Sequence, residues 1–387
     1  MEPPEVVLLV ETSTTFGQNV LLGIARYLRE NGPWRVRLEH RSTREPPPPW
    51  LAAWRGDGVI SRIPDPAIGQ FARETGIPVV DLNEQVADLG LPMIFNDQGA
   101  IGRMAADHLL ERGFTRFAYI GQRGVLWSDE RCEGFSRRVR DEGATCVEFP
   151  GKGRTVWDYR QRIWETEFDE VASWAAALGK PVGVMACNAF RALQLLEACD
   201  SVNVAVPEQL AVIAGDNAEI ACEMATPTLS AVINNAFRIG YEAAQLLDRM
   251  MRGEHAGESR QSIEPQRVIA RGSTDTTAIN DPIVARAVRY IRQNACLGIL
   301  VDDVLREVRV SRSTLQKRMR SSMNRTVHDL IIGAQLDRAK QLLTETPLRL
   351  DEIAERAGFR HVQYMSDVFK QRVGVRPGAY RKQTVAN

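Results

Sequence analysis

Ten short apolar runs punctuate the first 275 residues, and helix-length stretches separate most of them. The runs are "EVVLLVE", "WRVRLEH", "GDGVISR", "IPVVDL", "PMIFND", "FAYIGQ", "CVEFPG", "VGVMACN", "QLAVIAGDN" and "SAVINN". Between them lie segments such as "NVLLGIARYLREN" and "QGAIGRMAADHLLERG". Apolar strands joined by helices are buried on both faces, which is the condition of a parallel sheet. Ten strands exceed one comfortable sheet, so two doubly wound α/β lobes meeting at a cleft are expected. A length of 387 residues likewise asks for two or three domains.

Ligands of such sheets bind beyond the carboxyl ends of the strands. Glu11, Thr14 and Phe16 follow the first run, and Asn96 and Asp97 follow "MIF". Trp127 and Arg131 follow "FAYIG", Asn188 follows "VGVMAC", Asp216 and Asn217 follow "QLAVIAG", and Asn234 follows "SAVI". Carboxylates, amides, an arginine and aromatic rings are the set a small polyol needs. The polar groups meet hydroxyls and the rings cover its C–H face. A phosphate site would need a glycine-rich loop, and "GxxxxGK[ST]" is absent. Each residue also has a plainer reading. Asp216, Asp97 and Asn188 could cap helices, Arg131 could form a structural ion pair, and Trp127 and Phe16 could be loop packing.

The last hundred residues follow another rule. "VDDVLREVRVSRSTLQKRMR" from Val301 repeats as "LDEIAERAGFRHVQYMSDVFK" from Leu350. Asp302, Val304, Val308 and Val310 match Asp351, Ile353, Ala357 and Phe359 at an offset of 49; Leu315 and Met319 match Met365 and Phe369 at 50. Each copy reads as a helix, a turn and a second helix, the doubled helix-turn-helix pattern. Asp302 and Asp351 suit the start of the first helix, and Gly358 suits the residue just past its end. Leu315 and Met319 anchor one second helix, leaving Ser311, Arg312, Thr314, Lys317, Arg318 and Arg320 outside. Met365 and Phe369 anchor the other, leaving Arg360, His361, Gln363, Ser366 and Lys370. "TVHDLIIGAQLDRAKQLLTET" between them reads as one long amphipathic helix. Arg312 is the expected base reader, because a guanidinium can bond guanine bidentately. Lys317, Arg318 and Arg320 suit phosphates, which position without specifying. His361 and Gln363 suit either. A solvated surface is the plainer reading of any one of them.

Charge separates the two parts. From Asp281 onward there are 20 Lys and Arg against 11 Asp and Glu, leaving 29 against 38 before it. Only the tail is fitted to double-stranded DNA. The six cysteines form no CxxC pair and have no histidine cluster beside them, so neither a disulfide framework nor a metal or other cofactor is expected, and a reducing cytoplasm fits. "MEPPEVVLLVETS" reads as a strand rather than a signal peptide. No segment approaches the roughly 20 apolar residues of a membrane helix. "REPPPPW" reads as a stiff loop.

Both parts resemble known families. "RAKQLL", "IAERAGF" and "FKQRVGVRPGAYR" are similar to the AraC/XylS-type DNA-binding domain over about Asp281–Lys382. The departures are Met365, where that family usually has Phe, and Asp367, where it often has Arg. "FNDQGAIGRMAADHLLERGFTRFAYIG", "SDERCEGF" and "VPEQLAVIAGDN" resemble the lactose-repressor family and the periplasmic sugar-binding fold over most of residues 5–272. That resemblance puts Arg131 and Asp216 on positions that bind sugar hydroxyls, and Asp97, Asn188 and Asn234 on polar cleft positions less securely. A sensor of this type ahead of an AraC-type domain resembles the xylose-operon regulator family. The resemblance implies domains over 1–275 and 276–387, a linker near "RGSTDTTAINDP", and D-xylose or a related pentose as inducer. It also implies a homodimer, action as an activator and possible contact with RNA polymerase. The residue chemistry alone reaches only a small polyol. A sugar-responsive repressor, a sugar-processing enzyme, a transport receptor and a purely architectural DNA binder are the rival readings.

Overall fold

The computed structural model describes residues 2–42, 45–84, 89–151, 163–254, 260–276, 281–323 and 325–385. Residues 277–280, the middle of the expected linker, lie outside them. The first lobe opens with β1 (Glu5–Leu9), α1 (Thr15–Asn31), β2 (Arg35–Leu38), β3 (Gly58–Ser61), α2 (Pro66–Thr75), β4 (Val79–Asp81) and β5 (Met93–Asn96). The chain then crosses into the second lobe. There it forms α3 (Gln98–Leu110), β6 (Phe117–Ile120), α4 (Leu126–Asp141), β7 (Cys146–Glu148), α5 (Ile163–Ala177) and β8 (Val182–Ala186). It continues with α6 (Ala189–Ser201), β9 (Leu210–Ala214), α7 (Glu219–Met224) and β10 (Ser230–Ile233). It returns as α8 (Ala236–Met251) and β11 (Arg260–Ile263), and crosses a third time into β12 (Arg267–Ile269).

Each lobe holds a six-stranded sheet, in the orders β11-β5-β4-β3-β1-β2 and β12-β10-β9-β8-β6-β7. All ten apolar runs become strands, and the central ones are buried along their whole length. Two strands were not expected. β11 is a polar edge strand beside β5, and β12 runs antiparallel to β10, so the second sheet is not purely parallel. Both sit on sheet edges, where a strand needs no apolar run.

α3 and α4 cross at backbone contact distance. A Cβ on Gly102 would lie 2.2 Å from the Arg131 carbonyl oxygen, and one on Gly134 would lie 2.3 Å from the Gly99 carbonyl oxygen. This crossing sets the height of Arg131 above the sheet.

The helical part comprises α9 (Pro282–Asn294), α10 (Val301–Val308), α11 (Arg312–Met323), α12 (Val327–Glu345), α13 (Leu350–Arg356), α14 (Val362–Val373) and α15 (Pro377–Val385). The repeat is structural as well as sequential. Val304 and Ile353, Leu315 and Met365, and Met319 and Phe369 are all buried at equivalent places. Met365 therefore fills the aromatic position without exposing it. The left-handed residue ending the first helix is Gly358 in one copy (φ 84°) and Arg309 in the other (φ 56°). The carboxylates Asp303 and Glu352 accept from the Leu300 and Arg349 backbone N–H at 2.7 and 2.8 Å, closing each first turn.

α12 is the expected long helix, and it contributes to both small cores. Val327 and Ile331 pack with the first unit, and Leu336, Ala339 and Leu343 with the second. Buried Gln335 on the same helix donates to the carbonyls of Ala295 (3.0 Å) and Gly358 (2.8 Å), tying the units together.

Gly102→Ala is expected to destabilise the protein by about 1–3 kcal/mol, because backbone on the facing helix cannot yield. Gly333→Ala on α12, where an added Cβ meets nothing within 4 Å, is expected to stabilise it by about 0.5–1 kcal/mol. Denaturant unfolding of the two variants checks the pair; the same sign in both would contradict the close crossing.

Candidate functional site

The cleft between the lobes holds a cavity of about 440 Å³, within the range of small-ligand sites. Its walls are the residues that follow the strands. From the first lobe come Glu11 and Phe16 after β1, Arg62 after β3, Glu84 after β4 and Asn96 at the end of β5. From the second come Trp127 and Arg131 on α4, Asn188 after β8, Asp216 and Asn217 after β9, and Asn234 after β10.

Arg131 is fixed rather than free. Its Nε donates to Gln98 Oε1 at 2.6 Å and one terminal nitrogen donates to the Cys187 carbonyl. Its guanidinium carbon lies 4.9 Å from the centre of the Trp127 ring. Asp216 accepts from the Ala189 N–H at 2.8 Å, at the start of α6. It thus borrows one helix bond while facing the cavity. The surrounding protein pushes its carboxyl pKa up, and the Arg131 charge and the Ala189 N–H pull it back. Asn188 caps α6 through its Oδ1, bonded by the Arg191 N–H at 2.8 Å. Asn234 also lines the cavity, and its buried Oδ1 has no hydrogen-bond partner among the described residues. Phe16 lies under the Arg62 guanidinium at 4.4 Å from its ring centre.

Asp97 is a correction. It does not line the cavity. Its carboxylate accepts from the Ala100 N–H at 2.7 Å as the cap of α3, and pairs with Arg103 at 3.5 Å. Capping alone does not decide this, since Asn188 caps α6 and still lines the cavity; at Asp97 the cap and the Arg103 pair take the carboxylate.

Four further groups belong to the wall. Arg62 pairs with buried Glu11, whose Oε1 also accepts from the Thr14 hydroxyl at 2.9 Å. Glu84 accepts from both the Asn96 backbone N–H (2.6 Å) and its amide (2.8 Å), leaving the buried Asn96 Oδ1 without a partner among the described residues. Phe190, 67% exposed, stands at the mouth. Glu45 and Pro46 line it too, held there by the buried Arg41, which donates to both their carbonyls at 3.0 Å. The first proline of the run, Pro46, is therefore part of the cleft rim. Arg62 and Glu84 follow strands just as the expected residues do, so the same rule applied after β3 and β4 finds them. Asn96 and Asn234 present unpaired acceptors on the walls, with aromatic rings on both lobes. That is a site for a neutral molecule carrying several hydroxyls.

On the helical part, the expected DNA-contacting side chains Ser311, Arg312, Thr314, Lys317, Arg318 and Arg320, and Arg360, His361, Gln363 and Lys370, are exposed, and Ser366 is half-buried. Several have local partners. Arg312 pairs with Asp302 at 2.9 Å, a contact between exposed groups of small worth. Arg318 pairs with Asp281, the cap of α9, at 2.9 Å. Ser311 accepts from the Thr314 N–H at 3.2 Å, at the start of α11. Gln363 donates to Asp367 at 3.1 Å, so the acidic departure noted in the sequence occupies one of the second unit's expected readers.

Among the described residues, no helix is long and apolar enough to cross a membrane, and no group of three or more His, Cys, Asp or Glu side chains could hold a metal ion.

Residues 6–151 match the family described as periplasmic binding proteins and sugar binding domain of the LacI family. Residues 106–274 match a periplasmic binding protein-like domain, and residues 304–383 a helix-turn-helix domain. The xylose operon regulatory protein of Escherichia coli strain K12 is 33% identical over 386 residues, covering 97% of this chain and 96% of that one. Its namesake in Haemophilus influenzae is 31% identical, covering 97% and 98%. A solved structure of a xylose-binding transcription activator aligns over 99% of this chain and 98% of that chain, with a TM-score of 0.63 and 31% identity. With sensor and helical repeat matched together, in the same order and nearly end to end, the chain belongs to the family of the xylose operon regulatory proteins.

Proposed function

We propose that the protein is a sequence-specific DNA-binding transcription regulator controlled by a small sugar, with D-xylose as the effector. What carries this reading is one chain that joins a hydroxyl-binding cleft to a doubled helix-turn-helix. Asp216 and Arg131 would hold the sugar's hydroxyls, with Asn188, Asn96 and Asn234 completing the polar wall. Trp127 and Phe16 would frame its C–H surface. The sugar can favour a closed cleft only by binding that form more tightly. The division between sensor and reader would fall near residue 275. The regulator would act as a cytoplasmic homodimer and as an activator, in contact with RNA polymerase. The relative that is a xylose-binding transcription activator supports that sign of regulation.

An enzyme is the weaker reading. Glu11 and Glu84, two of the cleft's carboxylates, are engaged by Arg62 and Asn96. The sugar is expected to come back from incubation unchanged.

Asp216→Ala removes a carboxyl partner for the sugar. Leaving a buried hydroxyl unpaired costs about 1–3 kcal/mol, so calorimetry should show D-xylose affinity falling by roughly five- to a hundredfold, with sugar-free DNA binding kept. An unchanged affinity would take Asp216 out of the site. For DNA, Arg312→Ala should cost about 1–3 kcal/mol on the operator and little on unrelated sequence. Lys317→Ala should weaken both alike and flatten the salt dependence by about one ion. Titrations of operator and scrambled duplexes at several salt concentrations separate the two roles; equal losses for Arg312→Ala on both duplexes would make it a phosphate contact.

A further inference from the structure

The last well-packed residues before the linker are joined to the cleft by a single side chain. Arg271 lies two residues beyond β12, and its side chain is only 8% exposed. One terminal nitrogen donates to Asn217 Oδ1 at 3.1 Å and to the Leu229 carbonyl at 2.8 Å. Its Nε donates to Glu223 on α7 at 2.6 Å. Its backbone N–H donates to the Ser230 hydroxyl at 2.8 Å. Asn217 lines the cavity and directly follows Asp216, and α7 begins at Glu219, another wall residue.

α7 is lightly packed. Of its six residues only Cys222 is buried, while Ile220 and Met224 are 76% and 80% exposed. The Arg271–Glu223 bond adds to the contacts that fix it, among them the buried Cys222 and the bond from the Leu229 N–H to the Cys222 carbonyl. Downstream, the turn Gly272–Thr274 is locked by polar contacts. The Ser273 hydroxyl donates to the Val212 carbonyl at 2.6 Å, and Thr274 Oγ1 meets Ser230 Oγ at 2.7 Å and His108 Nε2 at 2.8 Å. Arg112 donates to the Thr274 carbonyl at 2.9 Å, and its neighbour Glu111 pairs with Arg325, between α11 and α12, at 2.9 Å. The cleft wall and the linker root thus lie on one run of hydrogen bonds, and Glu111, next to Arg112 in the chain, meets the turn between α11 and α12 of the helical unit.

We propose that Arg271 is a positioning residue that transmits sugar occupancy at Asp216 and Asn217, through α7 and the Gly272–Thr274 turn, to the orientation of the DNA-binding unit. This rests on the sugar-regulator reading above. A ligand that draws Asn217 and α7 toward itself changes the partners available to a guanidinium that joins three groups, Asn217, Glu223 on α7 and the Leu229 carbonyl. Only a planar, multidentate group can hold all of them together.

The test uses the full chain, D-xylose and DNA from upstream of its own gene, in three forms: wild type, Arg271→Lys and Glu223→Gln. Calorimetry gives sugar affinity, thermal unfolding gives stability, and duplex titration gives DNA affinity with and without sugar. Site-to-site couplings are typically about 5–150-fold. The ratio of DNA affinities with and without sugar should fall at least about fivefold toward one in Arg271→Lys, and in the same direction in Glu223→Gln. Sugar affinity should stay within about threefold. A merely structural role would lower stability and both affinities in parallel and leave the ratio alone. A wild-type ratio that survives intact in both variants overturns the relay and spares the sugar-regulator reading. A wild type whose DNA binding ignores D-xylose overturns that reading, and the relay with it.

Discussion

The chain passes between its two sheets three times, and the cleft depends on how those passages are held. Where β5 gives way to α3, the Asp97 N–H donates to the Ile263 carbonyl at 2.9 Å, bonding the first passage to the third. Where β10 gives way to α8, the Ile233 carbonyl accepts from the Gln266 N–H at 2.9 Å, and Asn235 Oδ1 accepts from the Gln266 amide at 3.1 Å. Such short bonded passages resist shear while permitting a hinge, the usual way two lobes close on a ligand. Asn96 and Asn234 stand on two of these passages and also line the cavity. A ligand that bonds their unpaired oxygens grips the hinge itself.

The fold was largely legible because its main sheets are buried on both faces. Burial forces continuous apolar runs, and every such run in the first 275 residues became a strand. What escaped was what burial does not mark. β11, "RQSI", has one fully buried position, and β12 has none. Both lie at sheet edges and are recruited by register with a neighbour rather than by hydrophobicity. The helical repeat was more legible still, because its anchors recur at fixed spacing and must each fill a small core.

The site was legible where position along a strand decides it and obscure where side-chain direction does. Arg131, Asp216, Asn188, Asn234, Trp127 and Phe16 all reach the cavity because they follow strand ends or open the next helix. Asp97 satisfies the same positional rule and turns the other way to cap α3. Nothing in the order of residues distinguishes those outcomes. The rim loop at Glu45 and Pro46 was illegible for another reason. Arg41 holds it from a few residues upstream, through backbone carbonyls that carry no sequence identity.

Gln335 sits where the two helical units meet, and its amide is spent on the backbone of both. With α12 running through both cores, neither unit can pivot on its own. The protein therefore carries a fixed ruler. Nucleotides inserted or deleted between the two sequences read by one protomer are expected to cost affinity, because the reader cannot lengthen or shorten to follow them. Adaptation to a new promoter must come from the DNA, or from the joint at the linker, because the spacing inside the reader is closed to adjustment.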